Sequence, residues 1–317
     1  MVDLTDLGIS DVHVLEIPLR NTFRGIDTRE ALIFKGPQGW SEFSPFTEYS
    51  DQESLTWLRA AIEAANTPWP TLYRNSIPIN ATLPAVTPEK VPTILARFAG
   101  CTTIKIKVND FSDGAQLVEA TLETIPGAKI RLDVNGGWTL QEALSNLTEY
   151  YIRFGNVFEY VEQPTTSVSD LKKVRNESPI KIAADESIRK NLDGDLRAIK
   201  EIADIAILKW QPLGGIAAAH LIADQIGLPV VVSSALDTGI GISHALALAG
   251  SFPELHFACG LGTTSLFEAD ICGSQFEVKD GEIAISQAEP IDREKFAATT
   301  DRVQWWHNRL MRVSELL

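Results

Sequence analysis

Short apolar runs recur along the middle of this chain at intervals of roughly 25 residues, and most gaps between them have helical periodicity. The runs are Ile77–Leu83, Thr103–Val108, Lys129–Val134, Phe158–Val161, Ile180–Ala184, Ile205–Leu208, Pro229–Val232 and His256–Ala258. Asp113–Thr124, Leu140–Arg153, Ile216–Ile226 and Ile240–Ala249 lie between them and carry apolar residues at helical spacing. Strand and helix in alternation build a parallel sheet, because each helix returns the chain to the end where the last strand began. Eight strands in about 180 residues suit a closed (β/α)7β barrel of the TIM type.

Two segments fall outside this rhythm. Val12, Val14 and Ile17 begin a strand-like stretch, Ala31–Phe34 forms a second, and Ser54–Ala65 reads as a helix. Near the other end, Gln275–Ile285 predicts a hairpin turning at Asp280-Gly281, and Phe296–Leu316 a closing helix. Together they predict an α+β capping domain formed from both termini. Residues 1–76 would start it, 77–264 would be the barrel, and 265–317 would complete the cap. No low-complexity linker separates the parts, so they should pack firmly.

The balance of charge restricts the partners. Among 317 residues, 42 acids against 28 Lys and Arg leave a formal net charge of −14, the wrong sign for a phosphate backbone. Cys101, Cys259 and Cys272 are widely spaced, which opposes a disulfide framework or a thiolate zinc site. The start, Met1-Val-Asp-Leu-Thr-Asp, is acidic where a signal peptide is basic, and no apolar segment approaches the roughly 18 residues of a membrane span. The expectation is a cytoplasmic protein that binds neither nucleic acid nor membrane. Oligomeric state is not legible.

Chemistry in such a barrel belongs at the C-terminal ends of the strands. Read in order, those ends give Lys105-Ile-Lys107, then Asp133-Val-Asn135-Gly-Gly-Trp138, Glu162-Gln163-Pro164, Asp185-Glu186-Ser187 and Lys209-Trp-Gln-Pro212. Ser233-Ser234 and Cys259-Gly260 follow. Alternation puts Lys105 and Lys107 on one face. Asp133, Glu162 and Asp185 end successive strands and can converge on one hard cation, which suits Mg2+ better than zinc because no histidine lies among them. Each piece has an ordinary explanation by itself: KxK as an exposed strand edge, a lone Asp as a helix cap, Asn135-Gly136 as a turn. Their joint placement does not, because buried charge is costly unless paired or bound to metal. His244, His256 and Trp305-Trp306 read as structural.

The ordered series KxK, DxNxxW, EQP, DES and a lysine followed by Gly214-Gly215 resembles the muconate-lactonizing subgroup of the enolase superfamily, along nearly the whole chain. Phe23-Arg24-Gly25 and Gly39–Phe46 resemble the capping loops that close over the site in that family. Leu208–Gly215 and Ser233–Asp237 are most similar to its dehydratase branch in menaquinone biosynthesis. That branch converts the small-molecule carboxylate 2-succinyl-6-hydroxy-2,4-cyclohexadiene-1-carboxylate into o-succinylbenzoate. The resemblance implies Mg2+, replaceable by a cation such as Mn2+, held by Asp133, Glu162 and Asp185 against the substrate carboxylate. It implies Lys107 as the base that returns its proton to the departing hydroxyl, Lys105 as its electrostatic support, and Lys209 as a cation beside the enediolate. It also implies that backbone donors of Ser233, Ser234 and Gly260 hold the succinyl carboxylate, with Arg24 a further contact. Lysine bases paired with Mg2+ are general to that superfamily.

Other reactions share these parts. Lysines on two faces also suit a racemase of N-succinylamino acids. Dipeptide epimerases carry acids after the eighth strand, and Cys259–Leu266 has none. A Schiff-base aldolase using Lys209 is an alternative of another class, and a barrel kept only for binding is a further one.

Overall fold

The computed structural model describes residues 3–192 and 194–317, so Met1, Val2 and Asp193 lie outside the described residues. The chain opens with an antiparallel sheet of β1 (Ser10–Phe23), β2 (Ile26–Gly36) and β3 (Gly39–Phe43). Arg24 and Gly25 join the first two strands, both at positive φ (52° and 79°), which is the two-residue turn that matches strand twist. Helix α1 (Asp51–Asn66) follows. It starts at a capping box in which the Ser50 hydroxyl accepts from the Glu53 N–H and the Glu53 carboxylate accepts from the Ser50 N–H.

The barrel strands are β5 (Ala81–Leu83), β6 (Thr103–Lys107), β7 (Lys129–Asp133), β8 (Phe158–Glu162), β9 (Ile182–Ala184), β10 (Ile205–Leu208) and β11 (Val230–Val232), after a short β4 (Ser76–Pro78). They hydrogen-bond in chain order as one parallel sheet. The helices among and around them are α2 (Val91–Leu95), α3 (Phe111–Thr124), α4 (Leu140–Phe154), α5 (Val168–Glu177), α6 (Glu186–Arg189), α7 (Trp210–Leu213), α8 (Ile216–Ile226) and α9 (Gly239–Gly250). In β6, Ile104 and Ile106 are fully buried, while Lys105 and Lys107 on the opposite face line the barrel mouth. Tyr160, Ala183, Ile205, Ile207 and Val231 fill the interior, with Phe257 packed against them. Among the described residues, no helix is long and apolar enough to cross a membrane.

The eighth strand differs from the expected position. Its ladder forms at Cys259–Gly260, where bridges Ile79–Cys259 and Ser233–Gly260 close the ring, not at His256–Ala258. The reason is local: His256 is exposed beside Glu254, 3.2 Å away. Phe257 turns inward against Tyr160 and Arg131. The fifth strand is also shorter than the run Ile180–Ala184. At the other end, Asp280 and Gly281 do turn the chain at positive φ. The returning strand β12 (Glu282–Ala284) bridges back to Lys279 across the turn through Glu282 and continues by pairing with β4. That pairing buries Ile283 beside Ile77.

Helix α10 (Thr300–Ser314) packs on α1 and β1. Its buried Arg309 donates to the carbonyl oxygens of Pro45, Phe46 and Tyr49 and to the Ser54 hydroxyl. Gly39–Phe43 is thus a strand within the core, and Phe46 is pinned behind it. Of the two segments expected to close over the site, Phe23-Arg24-Gly25 is the turn between two strands.

Candidate active site

Strand register brings the charges together. Lys107 is the ladder partner of Asp133, and Asp133 that of Glu162. Asp185 follows the next strand, β9, directly. Lys105 Nζ lies 2.9 Å from Asp133 Oδ2 and 3.2 Å from Glu162 Oε2, Lys107 Nζ 2.6 Å from Asp133 Oδ2, and Lys209 Nζ 2.6 Å from Asp185 Oδ2. Lys107 also donates to Asn135 Oδ1 at 2.7 Å. The three lysines, Asp133 and Asp185 line one cavity between the barrel mouth and the cap. Glu162 is buried behind Lys105 and does not line it.

The electrostatics separate the two lysines of β6. Burial opposes charge on Lys105, but Asp133 and Glu162 outweigh it and hold its pKa well above the ordinary value. For Lys107 burial wins: with help from Lys105 it pulls the pKa down, against the attraction of Asp133. Asp133 is held far below the usual carboxylate range, since Lys105 and Lys107 overcome its burial. Lys209 and Arg189 do the same more mildly for Asp185. Glu162 is pushed up to about 7 by burial and by Asp133.

Whether these groups fit a divalent cation can be judged from the donors. Among the described residues, no three His, Cys, Asp or Glu side chains are arranged to enclose a metal ion, because ammonium groups stand against the carboxylates. The donor set itself fits. Three buried carboxylates end neighbouring strands, and Asp133 Oδ1 is buried without a hydrogen-bond partner. All are hard oxygen donors suited to Mg2+.

The other expected contacts fare differently. Ser233, Ser234 and Gly260 line the cavity, but their backbone donors are already used. Their N–H groups bond Leu208 O, Gly260 O and Val232 O, which closes the barrel. The expected route through those donors is therefore corrected. Gly260 must stay small, since a Cβ there would meet Ser233 Oγ at 2.6 Å. Arg24 reaches the rim, 4.2 Å above the Phe46 ring and 3.8 Å from Glu48.

Some participants are not evident from sequence. Arg189 lines the cavity, 3.4 Å from Asp185 Oδ1 and 2.8 Å from Glu186. Its position four residues after Asp185 on the same short helix was the available signal. Gln163, at φ 43°, accepts from the Asp185 and Ser187 N–H groups through Oε1 and donates to Thr165 O and Ser187 Oγ. It shapes the turn that presents Asp185. Tyr49 and Trp57 join Phe46 in an edge-to-face aromatic lid.

A barrel with lysines and carboxylates at successive strand ends, roofed by an α+β cap, defines a class, and comparison with known proteins agrees. Residues 14–65 match the enolase N-terminal domain-like family and residues 93–290 the enolase C-terminal domain-like family. The chain belongs to the enolase superfamily. Solved structures share the fold at low identity. The L-Ala-D/L-Glu epimerase of Bacillus subtilis superposes with a TM-score of 0.76 at 21% identity, covering 88% of this chain and 96% of its own. The N-succinyl Arg/Lys racemase of Bacillus cereus does so with a TM-score of 0.76 at 19%, covering 91% and 97%. The dipeptide epimerase of Enterococcus faecalis, complexed with Mg and a dipeptide, reaches 0.71 at 21%, covering 89% and 98%. Closer in sequence, the o-succinylbenzoate synthase of Mycolicibacterium smegmatis is 44% identical over 94% of both chains. That of Mycobacterium tuberculosis is 42% identical over 96% of this chain and 94% of its own. Within the superfamily, the chain belongs to the o-succinylbenzoate synthases.

Proposed function

We propose that this chain dehydrates 2-succinyl-6-hydroxy-2,4-cyclohexadiene-1-carboxylate to o-succinylbenzoate, a step of menaquinone biosynthesis. The observation that carries the reading is the set of three lysines on three strand-end carboxylates under one cap. Synthase relatives at 41–44% identity over nearly the full chain support it. Mg2+, or Mn2+ in its place, would be held by Asp133, Glu162 and Asp185, and when bound supplies Lewis-acid neutralisation of charge building on the substrate carboxylate.

The chain's own groups do the rest. Lys107 Nζ, whose charge is disfavoured by burial and by Lys105, accepts the proton beside the carboxylate. The electron pair of the broken C–H bond moves onto the carboxylate to give an enediolate, then returns to form the ring double bond as the neighbouring C–O bond breaks. Lys107 passes the proton to the departing hydroxide, so water leaves and the lysine is restored. Lys105, whose charge Asp133 and Glu162 maintain, lowers the cost of negative charge nearby. Lys209 Nζ, 2.6 Å from Asp185 Oδ2, faces the developing enediolate and offsets its charge. The apolar lid of Phe46, Tyr49 and Trp57 excludes water. For the substrate contacts we place Arg24 and Gly260 at the cavity wall with the Ser233 hydroxyl as a donor, while the Ser234 hydroxyl is committed to Asp237 and Thr263 and shapes the wall. We take residues 1–76 and 265–317 as cap and 77–264 as barrel, a division supported by the packing of α10 on α1 and β1. A cytoplasmic setting is supported by three buried, unpaired cysteines.

The test is an assay of the purified chain with the cyclohexadiene carboxylate, before and after chelation. Activity should vanish on exhaustive chelation and return with Mg2+. Full turnover without metal, or none with it, would remove the reading.

A further inference from the structure

The cavity wall after β11 is held by the cap. Ser233, Ser234, Ala235 and Leu236 all line the cavity. In the order of the closed sheet, β11 stands four strands from β7, so in a ring of eight this wall faces Asp133 across the mouth. Leu236 is buried and adopts φ 64°, the left-handed region that a side chain with a Cβ rarely enters. Strained backbone of this kind persists only where the surroundings over-determine it, and it gathers at functional sites.

The surroundings here come from another element. Arg29 of β2, fully buried, donates from Nε to Leu236 O at 2.9 Å and from Nη2 to Ser44 Oγ at 3.0 Å and to Ser44 O. The Ser44 N–H donates to Gln211 Oε1 at 3.2 Å, and Gln211 Nε2 donates to Asp237 Oδ1. Asp237 Oδ2 accepts from Ser234 Oγ and from the Ala235 N–H, both at 2.9 Å. Each member of the wall's backbone turn is thus tied, and the tie to Leu236 crosses from cap to barrel.

We propose that Arg29 is a positioning residue: by clamping the Leu236 carbonyl it fixes the left-handed turn, and so holds the Leu236 side chain as the apolar wall against the end of the substrate opposite the reacting carboxylate. The inference rests on the dehydration reading. It makes the cap part of the substrate pocket and not only its cover. The clamp touches no reacting atom, so its loss should weaken binding and spare chemistry.

The experiment is a double-mutant cycle of Arg29→Met and Leu236→Gly, read as kcat and KM for the dehydration and as product affinity from fluorescence of the cavity-lining Trp57. Wild-type turnover is the control: if it is absent, the dehydration reading fails and not this one. Each single variant should raise KM and the product Kd by about 10-fold or more with kcat within about threefold. The double variant should be no worse than the poorer single one, because glycine has no left-handed strain for Arg29 to hold. Independent, multiplicative effects, an unchanged KM, or a loss confined to kcat would each overturn the clamp. If Arg29→Met does not fold, Leu236→Gly against Leu236→Ala decides. Alanine keeps the held turn and should raise KM less than glycine does. Equal rises sink the proposal.

Discussion

Lys107 and Lys209 illustrate how two identical residue types receive different tasks. The first sits on Asp133 beside another ammonium, and its charge is disfavoured; the second sits on Asp185 away from that pair. Lys107→Ala should cut turnover by roughly 10²–10⁴-fold, the usual worth of a positioned base. Lys209→Arg keeps the charge but removes an accessible base. A folded Lys209→Arg variant should keep part of the dehydration yet lose any racemisation of N-succinylamino acids that the wild type has. Continued exchange of the α-hydrogen in both enantiomers by that variant would end this division of labour. A second residue, Glu42, has a pH signature. Fully buried at the N-terminus of α9, it accepts from the Thr238 and Gly241 N–H groups and the Thr238 and Ser44 hydroxyls. Burial, then Asp237, push its pKa from 4.5 to about 7, despite Arg29 nearby. The folded state therefore binds this proton more tightly than the unfolded chain. Its contribution to stability is complete below pH 4.5 and is lost as pH rises through about 7. Urea midpoints across that window should fall less steeply in Glu42→Gln than in wild type; parallel curves would contradict the assignment.

At the scale of elements, short side-chain bridges give each strand end its shape. Gln163 bonds both sides of the Asp185–Ser187 turn, so truncation leaves two buried N–H groups unpaired. Gln163→Ala should cost about 2–4 kcal/mol, at 1–3 kcal/mol for each buried group left unsatisfied, with partial relaxation. It should also weaken Mg2+ binding measured by calorimetry, since Asp185 loses its fixed presentation. Unchanged Mg2+ affinity with reduced stability would make Gln163 a purely structural residue. Helix starts follow local caps that apolar periodicity does not report: α4 begins at Leu140 as expected, behind a Thr139–Glu142 capping box, whereas Asp110 caps α3 ahead of the expected start at Asp113. The eighth strand was misplaced by its apolar residues, because the half-buried Phe257 packs against the barrel interior without pairing.

Across the whole molecule, cap carboxylates occupy the N-termini of barrel helices. Glu42 serves α9, and Glu63 of α1 accepts from the Ile216 and Ala217 N–H groups at the start of α8. Gly215, at φ 119°, has no Cβ to block that approach; one would meet the Glu63 carboxylate at 2.4 Å. Such docking makes most of the cap rigid. Hydrogen exchange should therefore find Gly39–Phe43 protected with or without o-succinylbenzoate, while protection gained on binding concentrates around Phe23-Arg24-Gly25. Equal gains across both segments would mean that the whole cap moves.

The sequence by itself determined the alternation of strand and helix, the cap built from both ends, and the lysines and acids at strand ends. Those signals depend on period, and on the cost of leaving a charge at the end of an apolar strand without a partner. The tertiary structure alone decided which atoms meet. Arg29 and Leu236 are 207 residues apart, and nothing local distinguishes Arg29 from a surface arginine except a place on the same strand face as Ala31 and Ile33. Whether Lys107 is easier to deprotonate than Lys105 was equally hidden, because it depends on a balance of burial and neighbouring charge that exists only once the barrel has closed.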